Sequence, residues 1–312
     1  MKLICFDNIS VANGVFYGGD AGAKDAVLYE NNVWMLKYPK TTRDMINPQI
    51  SYTTSPLSEY LGSSIYVSLG FPVHDTLLGV RNNKMVVACK DFTRSGDELW
   101  QPARQLIHFH YLKNSFMASD LESYSGSGSE TLLDEVLAAV NGQINLRTVP
   151  GVTERFWDMF VVDAFIGNND RNNGNWGLLL NPLNGEMSLA PVYDNGNAFF
   201  NKSGAVQMEG HLNDVNIMIN LAYKNPRCVY KYTSIDGTGE RINPFVFIKQ
   251  RDNPDCTAAA ERFLQRVDMK RIKAIIEEVP ETYGALSVMP AVQKEFYIEL
   301  LRLRLKFLTQ EL

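Results

Sequence analysis

The chain has 312 residues, 45% hydrophobic and 21% charged, which is an ordinary globular balance with ample material for a core. A net charge of −5 and a pI of about 5.5 give no basic footprint for direct nucleic-acid binding. There is no run of 18 apolar residues and no secretory leader, so no membrane partner is expected; the expected location is cytoplasmic, or outside the cell by a route without a standard signal peptide.

Residues 1–92 read as strands and turns with one helix. Ala26 to Tyr29 and Val33 to Tyr38 alternate around Glu30, Asn31 and Asn32, the pattern of a β-hairpin. Ser55 and Pro56 then open a helix, Ser55 as the N-cap and Pro56 in the first position. Leu57, Tyr60, Leu61, Ile65 and Leu69 fall on its apolar face. Two more strands, Thr76 to Val80 and Lys84 to Cys89, flank Arg81, Asn82 and Asn83.

Beyond Asp91 the character changes. Ser123 to Ser129 is rich in Ser, Gly and Tyr and reads as a mobile loop. Leu132 to Val140 and Val152 to Ile166 read as helices, the second with Phe156, Phe160, Val161, Ala164 and Phe165 on one face and Thr153 as its cap. Residues 201–255 read as irregular. The end is helical: Ala258 to Val267, Met269 to Val279 and Pro290 to Leu308, whose stripes, including Phe296, Leu300 and Phe307, are core. The four cysteines (Cys5, Cys89, Cys228, Cys256) form no Cys-x-x-Cys pair and read as free thiols, and the four histidines show no zinc-ligand spacing.

The most informative stretch runs from Gly167 to Asp194. Asp170 and Asn175 lie five apart in a loop of turn residues that follows an apolar helix. The strand Trp176 to Leu180 and a turn at residues 181–185 then deliver Asp194. An Asp and an Asn at this spacing mean little alone, since a chain this rich in both supplies about 1.5 such pairs by chance. The ordered context is what points to phosphoryl transfer. That reaction needs a carboxylate to take the acceptor's proton, here Asp170, and hard oxygen ligands for Mg²⁺, here Asn175 and Asp194.

Other residues complete such a site. Gly18, Gly19, Asp20, Ala21, Gly22 and Lys24 form a glycine-rich turn, where backbone NH groups can approach the phosphates of ATP. Lys37, among apolar strand residues, is expected on the α- and β-phosphates, with Glu59 as its ion-pair partner. Backbone at Ala88, Cys89 and Lys90, where a strand runs into a hinge, is expected to hold the adenine. The implied fold is α+β, a two-lobed protein-kinase-like arrangement with a small β-rich lobe (1–92) and a larger, mainly helical lobe (93–312).

With these residues in hand, the chain resembles the HipA-like serine/threonine kinases, most of all their short cell-translocating kinase A type. The resemblance covers nearly the whole length, and its specific motifs are Asn169-Asp-Arg-Asn-Asn-Gly-Asn-Trp-Gly and Ala190-Pro-Val-Tyr-Asp. It implies Asp170 as base, Asn175 and Asp194 as magnesium ligands and Lys37 as a phosphate contact. It also implies ATP and Mg²⁺ as cofactors, a protein substrate with a Ser or Thr acceptor, autophosphorylation, a toxin or secreted-effector role, and an antitoxin-like partner. Family toxins carry an inhibitory serine at the glycine-rich loop, whereas residues 18–24 contain no Ser or Thr. Autophosphorylation is therefore expected on Ser123 to Ser129. The longer toxins also have an N-terminal subdomain that docks the antitoxin, and this sequence starts almost directly at the ATP lobe, so a split partner would have to supply that part. Two other readings share the layout: a lipid or small-molecule kinase, and a nucleotide-binding pseudokinase. The acidic balance opposes a lipid headgroup site, and the full catalytic set opposes a pseudokinase.

Overall fold

The computed structural model describes residues 1–18, 23–45, 48, 50–94, 102–120 (backbone alone at 119 and 120), 131–233 and 239–310. The molecule is α+β, a small curled sheet with one helix against a larger, mainly helical part. The sheet comprises β1 (Ile4–Cys5), β2 (Lys24–Tyr29), β3 (Asn32–Lys37), β4 (Thr76–Arg81) and β5 (Lys84–Lys90) in the order β1-β4-β5-β3-β2. Its pairs are antiparallel except β1 with β4. Both hairpins close through two residues at positive φ, Glu30 (46°) with Asn31 (57°) and Asn82 (50°) with Asn83 (55°). That turn matches the twist of the flanking strands.

Helix α1 (Ser55–Ser68) packs on β4 and β5. Leu57, Leu61 and Ile65 are fully buried, as the period predicts, while Tyr60 is half-buried. The expected cap is corrected. Thr54 holds the cap position without a side-chain cap bond, and Ser55 lies in the first turn, its hydroxyl 3.0 Å from that of Thr53.

Next come β6 (Gln105–His108), α2 (Phe109–Asp120), α3 (Leu133–Gly142), α4 (Ile144–Thr148), α5 (Val152–Ile166), β7 (Gly177–Leu180) and β8 (Met187–Leu189). β6, β7 and β8 form a second antiparallel sheet. After them lie α6 (Ala205–Leu212), α7 (Val215–Ile219), a π-helical turn (Asn220–Lys224), α8 (Pro244–Gln250), α9 (Pro254–Arg266), α10 (Met269–Glu277), the small hairpin β9 (Thr282–Tyr283) with β10 (Leu286–Ser287), and α11 (Ala291–Thr309).

The reading of 201–255 as irregular is thus overturned. Its helices are too short to show a period, and caps define them instead. The Asp214 carboxylate accepts from the Asn216 amide (2.8 Å) and the Asn243 side chain from the Phe245 amide (2.9 Å), with Pro244 in the first turn. α5 also differs from its one-faced pattern. It is buried nearly all round, packed on α3, α8, α9 and α11. Its N-cap is Gly151 in the left-handed region, so Thr153 does not cap it. It stops at Gly167 (φ 75°), where a Cβ would also lie 2.8 Å from the Arg304 guanidinium.

Trp157 of α5 is fully buried and meets Phe156, Phe160 and Phe247. Trp157→Ala is expected to destabilise the protein by about 3–5 kcal/mol. Urea unfolding reads this as a lower midpoint at similar slope, and an unmoved midpoint would refute the central placement of α5.

Candidate active site

Lys37 is the last residue of β3, and its side chain turns toward α1. Its ammonium lies 2.9 Å from Glu59 Oε2 and 3.0 Å from Asp194 Oδ1. Burial by itself disfavours the lysine's charge, but Asp194 and Glu59 hold its pKa well above the usual lysine value. Glu59 is 1% exposed. Burial would raise its carboxyl, yet Lys37, His74 and the Asn195 amide together hold it well below the usual carboxylate range. His74 Nε2 lies 3.0 Å from Glu59 Oε1, and the Asn195 N–H donates to the same oxygen at 3.0 Å. His74 and Asn195 escaped the sequence reading. A lone histidine before a strand and an Asn among many Asn carry no distinguishing pattern.

The loop after α5 is held by a buried arginine that the sequence reading also passed over. Arg171 meets Asp163 of α5 through two contacts, Nε to Oδ2 at 2.8 Å and Nη2 to Oδ1 at 3.1 Å. It further donates to the carbonyls of Asn175 (3.1 Å) and Tyr193 and to Asn195 Oδ1 (2.5 Å). Tyr66 and Asn168 donate to Asp163 from the other side. One guanidinium therefore fixes α5, the loop and the 193–195 segment together.

Asp170 projects from this loop and is exposed. Asn172 Nδ2 donates to its Oδ1 at 3.0 Å, and Asn175 Nδ2 to its carbonyl at 2.7 Å. The Asn175 nitrogen is thus committed to protein, which leaves its oxygen as the free donor atom for a cation. Asp194 sits in the left-handed region (φ 61°), a conformation Asp tolerates better than most residues. Lys37, Glu59, Asp170 and Asp194 all line one cavity of about 440 Å³.

The remaining expected residues divide. The Gly18 carbonyl accepts from Lys24 Nζ at 2.9 Å, while Gly19, Asp20, Ala21 and Gly22 lie outside the described residues, as does the 123–129 segment. Ala88 and Cys89, the expected adenine contacts, lie inside the sheet. Each is flanked by β3 on one side and β4 on the other, so the sheet already takes up their backbone groups. The Lys90 amide donates to the Asp75 carbonyl at 2.9 Å, and its ammonium lies 3.5 Å from the Asp75 carboxylate. Beyond Lys90 the strand runs out toward the larger part. There Asp91 accepts from Tyr17 Oη (2.8 Å) and Arg94 Nε (2.9 Å), tying the approach to the glycine-rich turn to the link between the two parts.

All four cysteines are free. Among the described residues, Glu59, His74 and Cys89 are the one trio of metal-ligand types that meets. All three are buried, and Glu59 is already committed to Lys37 and His74. No described helix is long and apolar enough to cross a membrane.

No established family profile matches the chain. It is 36% identical to the serine/threonine-protein kinase CtkA of Helicobacter pylori strain J99 over 281 residues, 90% of this chain and 78% of that protein. The crystal structure of the H. pylori proinflammatory kinase CtkA superposes with a TM-score of 0.83 at 31% identity, covering 98% of this chain and 96% of that one. A chain from the Shewanella oneidensis MR-1 toxin–antitoxin complex of HipA, HipB and operator DNA matches with a TM-score of 0.45 at 12% identity, over 95% of this chain and 67% of that one, which is too distant to argue from.

The Glu59 geometry makes a pH-dependent prediction. Its folded pKa lies below the unfolded value of about 4.3, so the charge stabilises the fold fully above that pH and progressively less as pH falls toward the folded value. Glu59→Gln is expected to cost about 3–5 kcal/mol at pH 7. In urea unfolding, the gap between wild type and variant should narrow below about pH 4.3. A gap that stays constant down to pH 3 would contradict an ionised, paired Glu59.

Proposed function

This chain belongs to the CtkA-type serine/threonine-protein kinases, and we propose that it transfers the γ-phosphoryl group of ATP, with Mg²⁺, to a serine or threonine hydroxyl of a protein. The observation that carries this reading is the Lys37–Glu59 pair with Asp194 on the wall of the cavity that also holds Asp170. In the same reading residues 1–92 form the nucleotide lobe and 93–312 the catalytic lobe.

The donor set suits magnesium. Asp194 offers a carboxylate and Asn175 an amide oxygen, both hard ligands of the kind magnesium prefers. Bound magnesium would neutralise charge on the phosphate oxygens. Lys37 supplies a fixed cation for the α- and β-phosphates, and Glu59 keeps its ammonium from folding back into the sheet. Asp170 accepts the acceptor's proton while the Ser or Thr oxygen bonds to the γ-phosphorus. The bond from that phosphorus to the β–γ bridging oxygen breaks, and ADP leaves. Asn172, bonded to one carboxylate oxygen of Asp170, orients the other toward the incoming hydroxyl. Autophosphorylation on residues 123–129 is part of the proposal.

The test is incubation with γ-labelled ATP and Mg²⁺, with label located by gel and mass spectrometry. Wild type should label protein on Ser or Thr, and Asp170→Ala should lose about 10²–10⁴ in rate. ATP consumption that labels an added lipid or small molecule and never protein would overturn the reading. A mutant as fast as wild type would remove Asp170 from the role of base.

A further inference from the structure

A second cavity, of about 400 Å³, adjoins the catalytic one. Asn169, Asn197, Asn201, Lys202 and Arg241 line both. The ridge between them is the hydrogen bond from Asn197 to Asn169, the residue next to Asp170. The two spaces therefore share a wall, and whatever fills the second lies next to the loop that carries Asp170.

The second cavity is cationic on a protein whose net charge is −5. Lys202, Arg227, Arg241 and Arg304 line it, and among the described residues none of the four makes an ion pair with a carboxylate. Arg304 is 1% exposed. Its guanidinium donates only to carbonyls, those of Ala222 (3.0 Å), Phe165 (3.0 Å) and Leu221 (3.4 Å). Burial pushes its pKa down to about 9, which still leaves it charged at neutral pH. One carboxylate, Asp163, lines the cavity, and Arg171 already neutralises it. A buried cation without a counter-ion is costly, and here its field opens onto a groove with further unpaired cations. The apolar walls, Phe200, Leu221, Pro226 and Pro244, suit the stem of a peptide side chain.

We propose that this cavity receives an acidic side chain of the protein substrate, so that the enzyme selects Ser or Thr acceptors with Asp or Glu a few residues away. The inference rests on the kinase reading for the identity of the reaction, but its core is a binding preference that can be measured without turnover.

The experiment uses three fluorescein-labelled peptides that share one Ser acceptor and carry Asp, Ala or Lys at the flanking positions. Anisotropy without ATP gives affinity, and phosphorylation with ATP and Mg²⁺ gives kcat and KM. The Asp peptide should bind about three- to fivefold tighter than the Ala peptide per engaged charge, mostly through KM, with the advantage shrinking as salt rises. Arg227 is exposed, so Arg227→Glu should fold. It should move the Asp-to-Ala ratio toward one and favour the Lys peptide, and the Ala peptide serves as the internal reference. Equal affinity for all three peptides, or a ratio that Arg227→Glu leaves unmoved, overturns the inference. Turnover without acidic preference would leave the kinase reading standing and sink the inference. Selective binding of the Asp peptide without turnover would do the reverse.

Discussion

The Glu59 carboxylate is the interaction on which the rest of the site depends. It lies in a helix, reaches the end of a strand through Lys37, and receives bonds from His74 ahead of β4 and from the Asn195 amide beyond Asp194. A buried carboxylate costs several kcal/mol unless its partners are all present. Glu59 is therefore tolerable only in the arrangement that brings sheet, helix and the 193–195 segment together. The pair is better understood as a condition on assembly than as an added contact.

A second buried pair, Asp163 with Arg171, imposes the matching condition on the helical side. Asn195 is the joint between the two. Its amide serves Glu59, its side-chain oxygen accepts from Arg171, and its side-chain nitrogen donates to Ser63 at 3.0 Å. The fit around it is tight enough to dictate Gly62, where a Cβ would come within 2.6 Å of the Asn195 Cβ. Asp194 is thus placed from both sides by charges it does not itself touch, apart from Lys37. That placement also explains how a residue at φ 61° is held there.

Much of this could be read from the sequence, and the parts that could not share a cause. The hairpins, α1, α5 and the loop at 167–194 announce themselves by local patterns: alternation, a 3.6 period and clustered turn residues. Lys37 and Glu59 were found because a known chemistry needs that pair. The short helices between 205 and 250 were missed because five to eight residues carry no period, although Asp214 and the Asn243-Pro244 step were cap signals in plain view. Arg171, His74 and Asn195 were missed for a deeper reason. Their roles rest mainly on contacts across 8 to 136 residues, and no local pattern encodes these. The place of Ala88 and Cys89 in the sheet is likewise a matter of topology that no local pattern gives. A strand at the sheet's edge could offer its backbone, but β5 lies between two neighbours.

The two carboxylates beside Lys37 differ in a way that assigns them different tasks. The Glu59 side chain is 1% exposed and the Asp194 side chain 30%, at nearly equal distances from the ammonium. Solvent screens the partly exposed Asp194 more than the fully buried Glu59, and removing one partner of a buried pair costs about 3–5 kcal/mol. Lys37–Glu59 is therefore the permanent contact and Lys37–Asp194 the exchangeable one. The proposed phosphoryl transfer from ATP would need this inequality, because one partner has to hold the lysine while the other releases it. Equal burial of both carboxylates would have locked the ammonium, and equal exposure would have left it unpositioned.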